Sequence, residues 1–238
     1  MKITSIEPQA HQSDRYSLFL DGRFALGLDG AVVVAAGLAV GMELSEDELA
    51  HLRSDDGARR LLDAALRFLA PRPRSRAEVR RRLLAPRRNR EPADPEAVER
   101  TLDRLESLGV LDDAQFAAFW VENREQFSPR SARAMGQELR LRGVSRETVE
   151  AAADPEQDEA RALAAARQRL RAVARAEYPE FRTKLGQFLL RRGFNYETAR
   201  VTVRQLWEET HGSQATDDEG VDASANPELD VGGASEEE

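Results

Sequence analysis

Residues 135–149, Met-Gly-Gln-Glu-Leu-Arg-Leu-Arg-Gly-Val-Ser-Arg-Glu-Thr-Val, return fifty positions later as residues 185–199, with seven of fifteen positions identical. The identities are Gly136/Gly186, Gln137/Gln187, Leu139/Leu189, Arg142/Arg192, Gly143/Gly193, Glu147/Glu197 and Thr148/Thr198. Other positions exchange like for like, as in Met135/Leu185, Val144/Phe194 and Ser145/Asn195. Self-similarity at such a period means one supersecondary unit used more than once. Each unit buries its apolar face mainly on its neighbour, so the product is an elongated binding surface. That argues against a single-pocket enzyme.

A third, diverged copy lies upstream. Arg74-Ser75, Val79 and Leu83 stand 56 positions before Arg130-Ser131, Met135 and Leu139, and Val98, Leu102 and Leu105 stand 101 before Ala199, Val203 and Leu206. The first copy carries five extra residues, which fall in the Pro- and Arg-rich stretch 85–93, a loop by composition.

Local signals fill in the units. Tyr16–Leu20 and Arg23–Leu28 are alternating runs joined by Asp21-Gly22, which predicts a type I′ hairpin, and Ile3–Ile6 is a candidate third strand. From Asp29 onward the pattern is helical. Ser45–Glu48 and Ser75–Glu78 read as capping boxes. Asp94-Pro95 and Asp154-Pro155 place an acid ahead of a proline at the first helical position. Gly109, Gly143 and Gly193 sit where a left-handed residue ends a helix. Each unit thus reads as an A helix (within 61–69, 116–121 and 163–170), a B helix ending near glycine, and a C helix.

The predicted fold is mainly α: tandem three-helix repeats in three units, with a small N-terminal β-hairpin element and a disordered acidic C-terminal tail. The expected divisions are 1–57 for the hairpin and helix extension, 58–111, 112–153 and 154–210 for the repeats, and 211–238 for the tail.

The net charge of −8 conceals an uneven distribution. Residues 211–238 hold nine acids and no Lys or Arg, which leaves 34 acids against 35 bases in the rest. Residues 72–90 hold nine arginines and one acid, Glu78. Arginine's dominance over lysine fits genome base composition, so only the positions of the arginines inform. Arg72, Arg74, Arg76, Arg80, Arg81, Arg82, Arg87, Arg88 and Arg90 form a basic segment. Arg140 and Arg142, then Arg191 and Arg192, reach the corresponding B-helix end in later copies. Stacked units then present a discontinuous basic strip, either a solvated face or a surface for an anionic partner.

No catalytic constellation accompanies it. His11, His51 and His211 sit in unrelated segments, cysteine is absent, and no metal or cofactor is expected. Asp112-Asp113 reads as a helix N-terminus, and Phe116, Phe119, Trp120 and Trp207 as core. The chain opens without the apolar stretch of a secretory signal, and its longest apolar run, 31–42, is about half a membrane span. A cytoplasmic monomer that does not enter a membrane is expected.

These motifs resemble the RecX family of RecA regulators. The resemblance rests on Arg74-Ser75-x3-Val79-x3-Leu83 and on Leu105-x2-Leu108-Gly109-x-Leu111-Asp112-Asp113-x2-Phe116-Ala117. It continues in Glu138-Leu139-x2-Arg142-Gly143-Val144 and Leu190-Arg191-Arg192-Gly193-Phe194-x-Tyr196, spanning roughly 59–209. The stretch 85–93 replaces the family's usual basic-Gly turn, and the acidic tail lies outside the pattern. The resemblance implies a negative modulator lying in the groove of the RecA–DNA filament, lowering its growth, ATP turnover and strand exchange. It also implies direct binding to single- or double-stranded DNA, with roles in recombination, DNA repair and the SOS response. An autonomous DNA-binding module acting through the same arginines is the competing expectation.

Overall fold

Two positive backbone angles in succession close the hairpin between strands 12–20 and 23–29: Asp21 at φ 48° and Gly22 at φ 77°, as a type I′ turn requires. The computed structural model describes residues 1–10, 12–86 and 92–212. Strands β1 (Ile3–Gln9), β2 (Gln12–Leu20) and β3 (Arg23–Asp29) form an antiparallel sheet in that order. One sheet face buries Ile3, Leu18, Leu20, Leu26 and Leu28. Against it pack Val32 of α1 (Gly30–Ala35), Leu44, and Leu49 and Leu52 of α2 (Glu46–Leu69). A hairpin alone is marginal in water, so this helical cover is what stabilises the sheet.

Helix α2 opens with a complete capping box. Ser45 Oγ accepts from Glu48 N–H, and the Glu48 carboxylate accepts from Ser45 N–H at 2.7 Å. The helix runs uninterrupted through position 57, serving the sheet with its first half and the first repeat with its second. The sheet is also pinned to α2 through Asp56, which is 5% exposed. Both Asp56 oxygens accept from Arg15 at 3.1 Å, and one accepts from Asp29 N–H at 2.8 Å. Asp56→Ala leaves Arg15 without its carboxylate, and the expected loss is about 2–3 kcal/mol because Arg15 keeps some solvent contact. A lowered urea midpoint for Asp56→Ala, restored by no substitution on the repeats, checks this.

The repeats follow. The first joins the C-terminal half of α2 to α3 (Arg76–Leu84) and α4 (Pro95–Ser107). The second comprises α5 (Asp113–Phe127), α6 (Ala132–Leu141) and α7 (Arg146–Ala152). The third comprises α8 (Asp158–Arg169), α9 (Tyr178–Arg191) and α10 (Tyr196–His211). Each unit has its own apolar cluster, and equivalent B-helix residues anchor all of them: Val79 and Leu83, Met135 and Leu139, Leu185 and Leu189. Their four-residue spacing places each pair on one helix face.

Caps set the helix ends. Asp94, Asp112, Ser131, Ser145 and Asn195 each accept from backbone N–H groups of the first turn that follows. Gly109, Gly143 and Gly193 have φ of 66°, 81° and 90°, in the left-handed region expected of them. Two sequence expectations change in detail. Asp154 caps a short 3-10 turn, Pro155–Gln157, ahead of α8. At Ser75 only half of the capping box forms: Ser75 Oγ accepts from Glu78 N–H, whereas the Glu78 carboxylate turns to Arg72 at 3.5 Å and Arg142 at 4.0 Å. Two nearby guanidiniums outcompete one backbone donor. His11, the 87–91 part of the Arg-rich stretch, and the acidic tail from 213 lie outside the described residues.

Candidate partner-binding surface

The units are joined through their B helices, end to end. At the first joint Ser75, the N-cap of α3, donates its hydroxyl to Arg142 C=O at the C-terminus of α6, 2.6 Å away. At the second, Ser131 N–H at the start of α6 donates to Arg192 C=O at the end of α9, at 3.2 Å. The positive end of one helix dipole thus meets the negative end of the next. Helices of 9, 10 and 14 residues joined this way carry roughly 50 Å of helical rise.

Both joints need glycine. A Cβ on Gly143 would stand 2.4 Å from Ala77 Cβ, and one on Gly193 would stand 2.7 Å from both Ala134 Cβ and Ser131 Oγ. A carboxylate from the following A helix completes each contact. Asp113 accepts from Arg76 N–H at 2.8 Å, and Asp158 accepts from Ala132 N–H at 2.7 Å. Burial holds the Asp113 carboxyl above its ordinary range, partly opposed by that backbone bond.

This architecture separates the candidate arginines into two groups. Arg76 is held by three carboxylates of α4: Glu99 and Asp103 at 2.8 Å and Glu106 at 2.5 Å. Burial pulls its guanidinium down, but the hydrogen bonds it donates to Glu106, Asp103 and Glu99 outweigh this and raise it above the ordinary arginine value. Arg80 pairs with Glu99. Arg72 donates to Pro73 C=O at 2.8 Å, and Arg74 lies 4.2 Å over the Phe68 ring, its pKa lowered by burial and then by Arg72.

Arg142 folds back onto Glu138 C=O at 2.8 Å and stacks 3.7 Å over Trp120. Trp120 is half-buried and donates to Glu138 at 2.8 Å, so packing and polar anchoring coexist there. Arg192 donates to Ser128 Oγ and Pro129 C=O, both at 2.9 Å, and its pKa is lowered by burial, then by Arg130 and Arg124. These side chains serve the joints and the interiors of the units.

Arg81, Arg82, Arg140 and Arg191 form the other group. They are exposed and make no ion pair among the described residues. Arg82 leans toward Phe68, 5.9 Å from the ring centre. Arg133 joins this group, exposed on α6 one heptad before Arg140, on the face opposite Met135 and Leu139. Its spacing from Arg140 was the signal in the sequence, but Arg133 stands outside the paired arginines at the helix ends. Leu141 is 75% exposed beside Arg140, so the surface mixes cations with apolar area. Arg87, Arg88 and Arg90 lie outside the described residues.

The acids that bind Arg76 and Arg80 yield a pH prediction. Hydrogen bonds from Arg80, then from Arg76, hold the Glu99 carboxyl below its usual range. A carboxyl lowered by folding contributes stability above its unfolded value and loses it as pH falls through the folded value. The difference in urea midpoint between the parent and Glu99→Gln is therefore expected at neutral pH, to shrink as pH falls below the ordinary Glu value of about 4.3, and to vanish only below the lowered folded value.

Among the described residues no three His, Cys, Asp or Glu side chains converge as metal ligands, and no helix is long and apolar enough to cross a membrane.

A chain of end-joined three-helix units behind a small sheet defines a helical-repeat protein with exposed arginines on each of its B helices. Residues 1–45 match the regulatory protein RecX N-terminal domain, 112–152 the second RecX three-helix domain, and 156–201 the third. The regulatory protein RecX of Levilactobacillus brevis is 32% identical over 211 residues, covering 86% of this chain and 76% of the relative. That of Thermobifida fusca is 41% identical over 144 residues, covering 59% and 75%. A crystal structure of regulatory protein RecX shares the fold with a TM-score of 0.62 at 24% identity, covering 84% of this chain and 98% of that one. This chain belongs to the RecX family of regulatory proteins.

Proposed function

We propose that this protein is a negative regulator of the RecA recombinase that lies along the groove of the RecA–DNA filament. The observation that carries the reading is the chain of end-joined B helices with Arg81, Arg140 and Arg191 exposed and without acidic partners among the described residues. A filament repeats its surface, so a ligand built of repeats can touch several subunits together. Each contact then adds through effective concentration, without high affinity at any one site. Bound in that way, the chain restrains filament growth, ATP turnover and strand exchange.

The test is RecA ATP hydrolysis on single-stranded DNA, titrated with this protein, beside binding to naked DNA at two salt concentrations. Slowing at substoichiometric protein supports the proposal. An unchanged rate at excess protein removes it. If the arginines instead act mainly on DNA phosphates, naked-DNA affinity falls with salt with a log–log slope of about 0.9 per phosphate neutralised.

A further inference from the structure

The third unit carries a second basic surface, at the end from which the chain continues into its acidic tail. The C-terminus of α8, the N-terminus of α9 and the C-terminus of α10 converge there. Arg167 of α8 meets Glu209 of α10 at 3.0 Å, the rings of Tyr178 and Trp207 lie 5.2 Å apart, and His211 stacks on Trp207 at 3.6 Å. Val173 and Ala176, in the connection between α8 and α9, pack into the same cluster. Arg171 and Arg175 flank Val173 on that connection, and Arg182 follows Phe181, whose ring is 6.2 Å from that of His211. All three arginines are exposed and make no ion pair among the described residues. Of the neighbouring acids Glu180 is engaged with Lys184, Glu208 with Arg204 and Glu209 with Arg167, which leaves exposed Glu177 as one local carboxylate beside three arginines.

The opposite charge is close along the chain. Asp217, Asp218, Glu219 and Asp222 begin five residues after Gly212, and residues 213–238 contain no Lys or Arg. Five residues span up to roughly 17 Å, enough to bring these carboxylates back over an end where His211 already touches Phe181. We propose that the acidic tail docks on Arg171, Arg175 and Arg182 of its own third unit. In that position it is an internal counter-anion that any external polyanion must displace from this end. The contact is between solvated charges, so it is strong at low ionic strength and weak at high. It depends on this chain alone and stands apart from the RecA reading.

The chain has only Lys2 and Lys184 as lysines, so a zero-length carbodiimide cross-link from a carboxylate has few destinations. Lys184 lies on α9 beside the proposed surface and Lys2 lies at the sheet. The experiment treats the full-length protein at low salt and maps cross-links by mass spectrometry. It repeats this in high salt and in a variant with Arg171→Gln, Arg175→Gln and Arg182→Gln. The expected result is a cross-link from the 217–222 carboxylates to Lys184, with none to Lys2, lost in high salt and in the variant. A yield that survives both treatments means that tethering alone brings the tail near Lys184, and it overturns the proposal. No Lys184 cross-link at low salt overturns it too. The replaced side chains are exposed, so the variant keeps its fold, and the salt arm on the parent protein tests the contact independently.

Discussion

Gly143→Ala is expected to lower the free energy of unfolding by about 2–5 kcal/mol, combining the cost of left-handed backbone with forced displacement at a packed contact. Position 143 has φ 81°, and an added Cβ would stand 2.4 Å from Ala77 Cβ on the neighbouring unit. Gly109 separates the two contributions. It is also left-handed, at φ 66°, but nothing lies within 4 Å of its added Cβ. Gly109→Ala should therefore lose only about 1–2 kcal/mol. Adding Ala77→Gly to Gly143→Ala should recover the steric part, less about 1 kcal/mol for glycine within a helix. Urea unfolding of the four proteins gives the comparison. Equal losses at 109 and 143, with no rescue by Ala77→Gly, would show that the units do not meet where described.

The second large effect is on regulation. Combined Arg81→Glu, Arg140→Glu and Arg191→Glu should lower folding stability by roughly 1–3 kcal/mol, since each Glu meets the negative end of its helix dipole in the last turn, so inhibition is measured well below the variant's melting temperature. The protein concentration needed to halve RecA ATP hydrolysis should rise by roughly 10-fold or more, because reversed charges place like against like at the interface. Arg76→Ala separates the two effects. It leaves Glu99, Asp103 and Glu106 facing one another without their shared cation, which lowers stability. Inhibition by Arg76→Ala, measured below its melting temperature, should stay near the parent value. If the triple variant inhibits as well as the parent, these arginines do not face the partner.

How far the sequence reaches depends on the kind of interaction. Val79, Met135 and Leu185 identified the repeat because burial repeats at helical spacing, and all three are fully buried. The left-handed glycines at 109, 143 and 193 were legible because few residues other than glycine adopt that conformation. The division of the arginines was not legible. Arg76 and Arg81 look alike in a basic run, and only the packing of α4 against α3 brings carboxylates to one of them. The acids themselves carried a hint: Glu99, Asp103 and Glu106 recur at steps of four and three on one helix face.

Asp113 and Asp158 were similarly hidden. An acid in the first turn is ordinarily assigned to its own helix, whereas each of these receives a backbone N–H of a B helix in the preceding unit. Arg142 and Arg192 stand out as a conserved pair between copies, but their service is to Trp120 and to the Ser128-Pro129 turn. Contacts between units escape a one-dimensional pattern because their partners are 37 and 26 residues apart.

Electron cryo-microscopy of this protein on RecA–DNA filaments is the direct test. The expected density places the α3–α6–α9 track within the filament groove, across neighbouring RecA subunits, with Arg81, Arg140 and Arg191 turned toward acidic surface. Density only at filament ends or on the outer surface, with that track facing solvent, would contradict it.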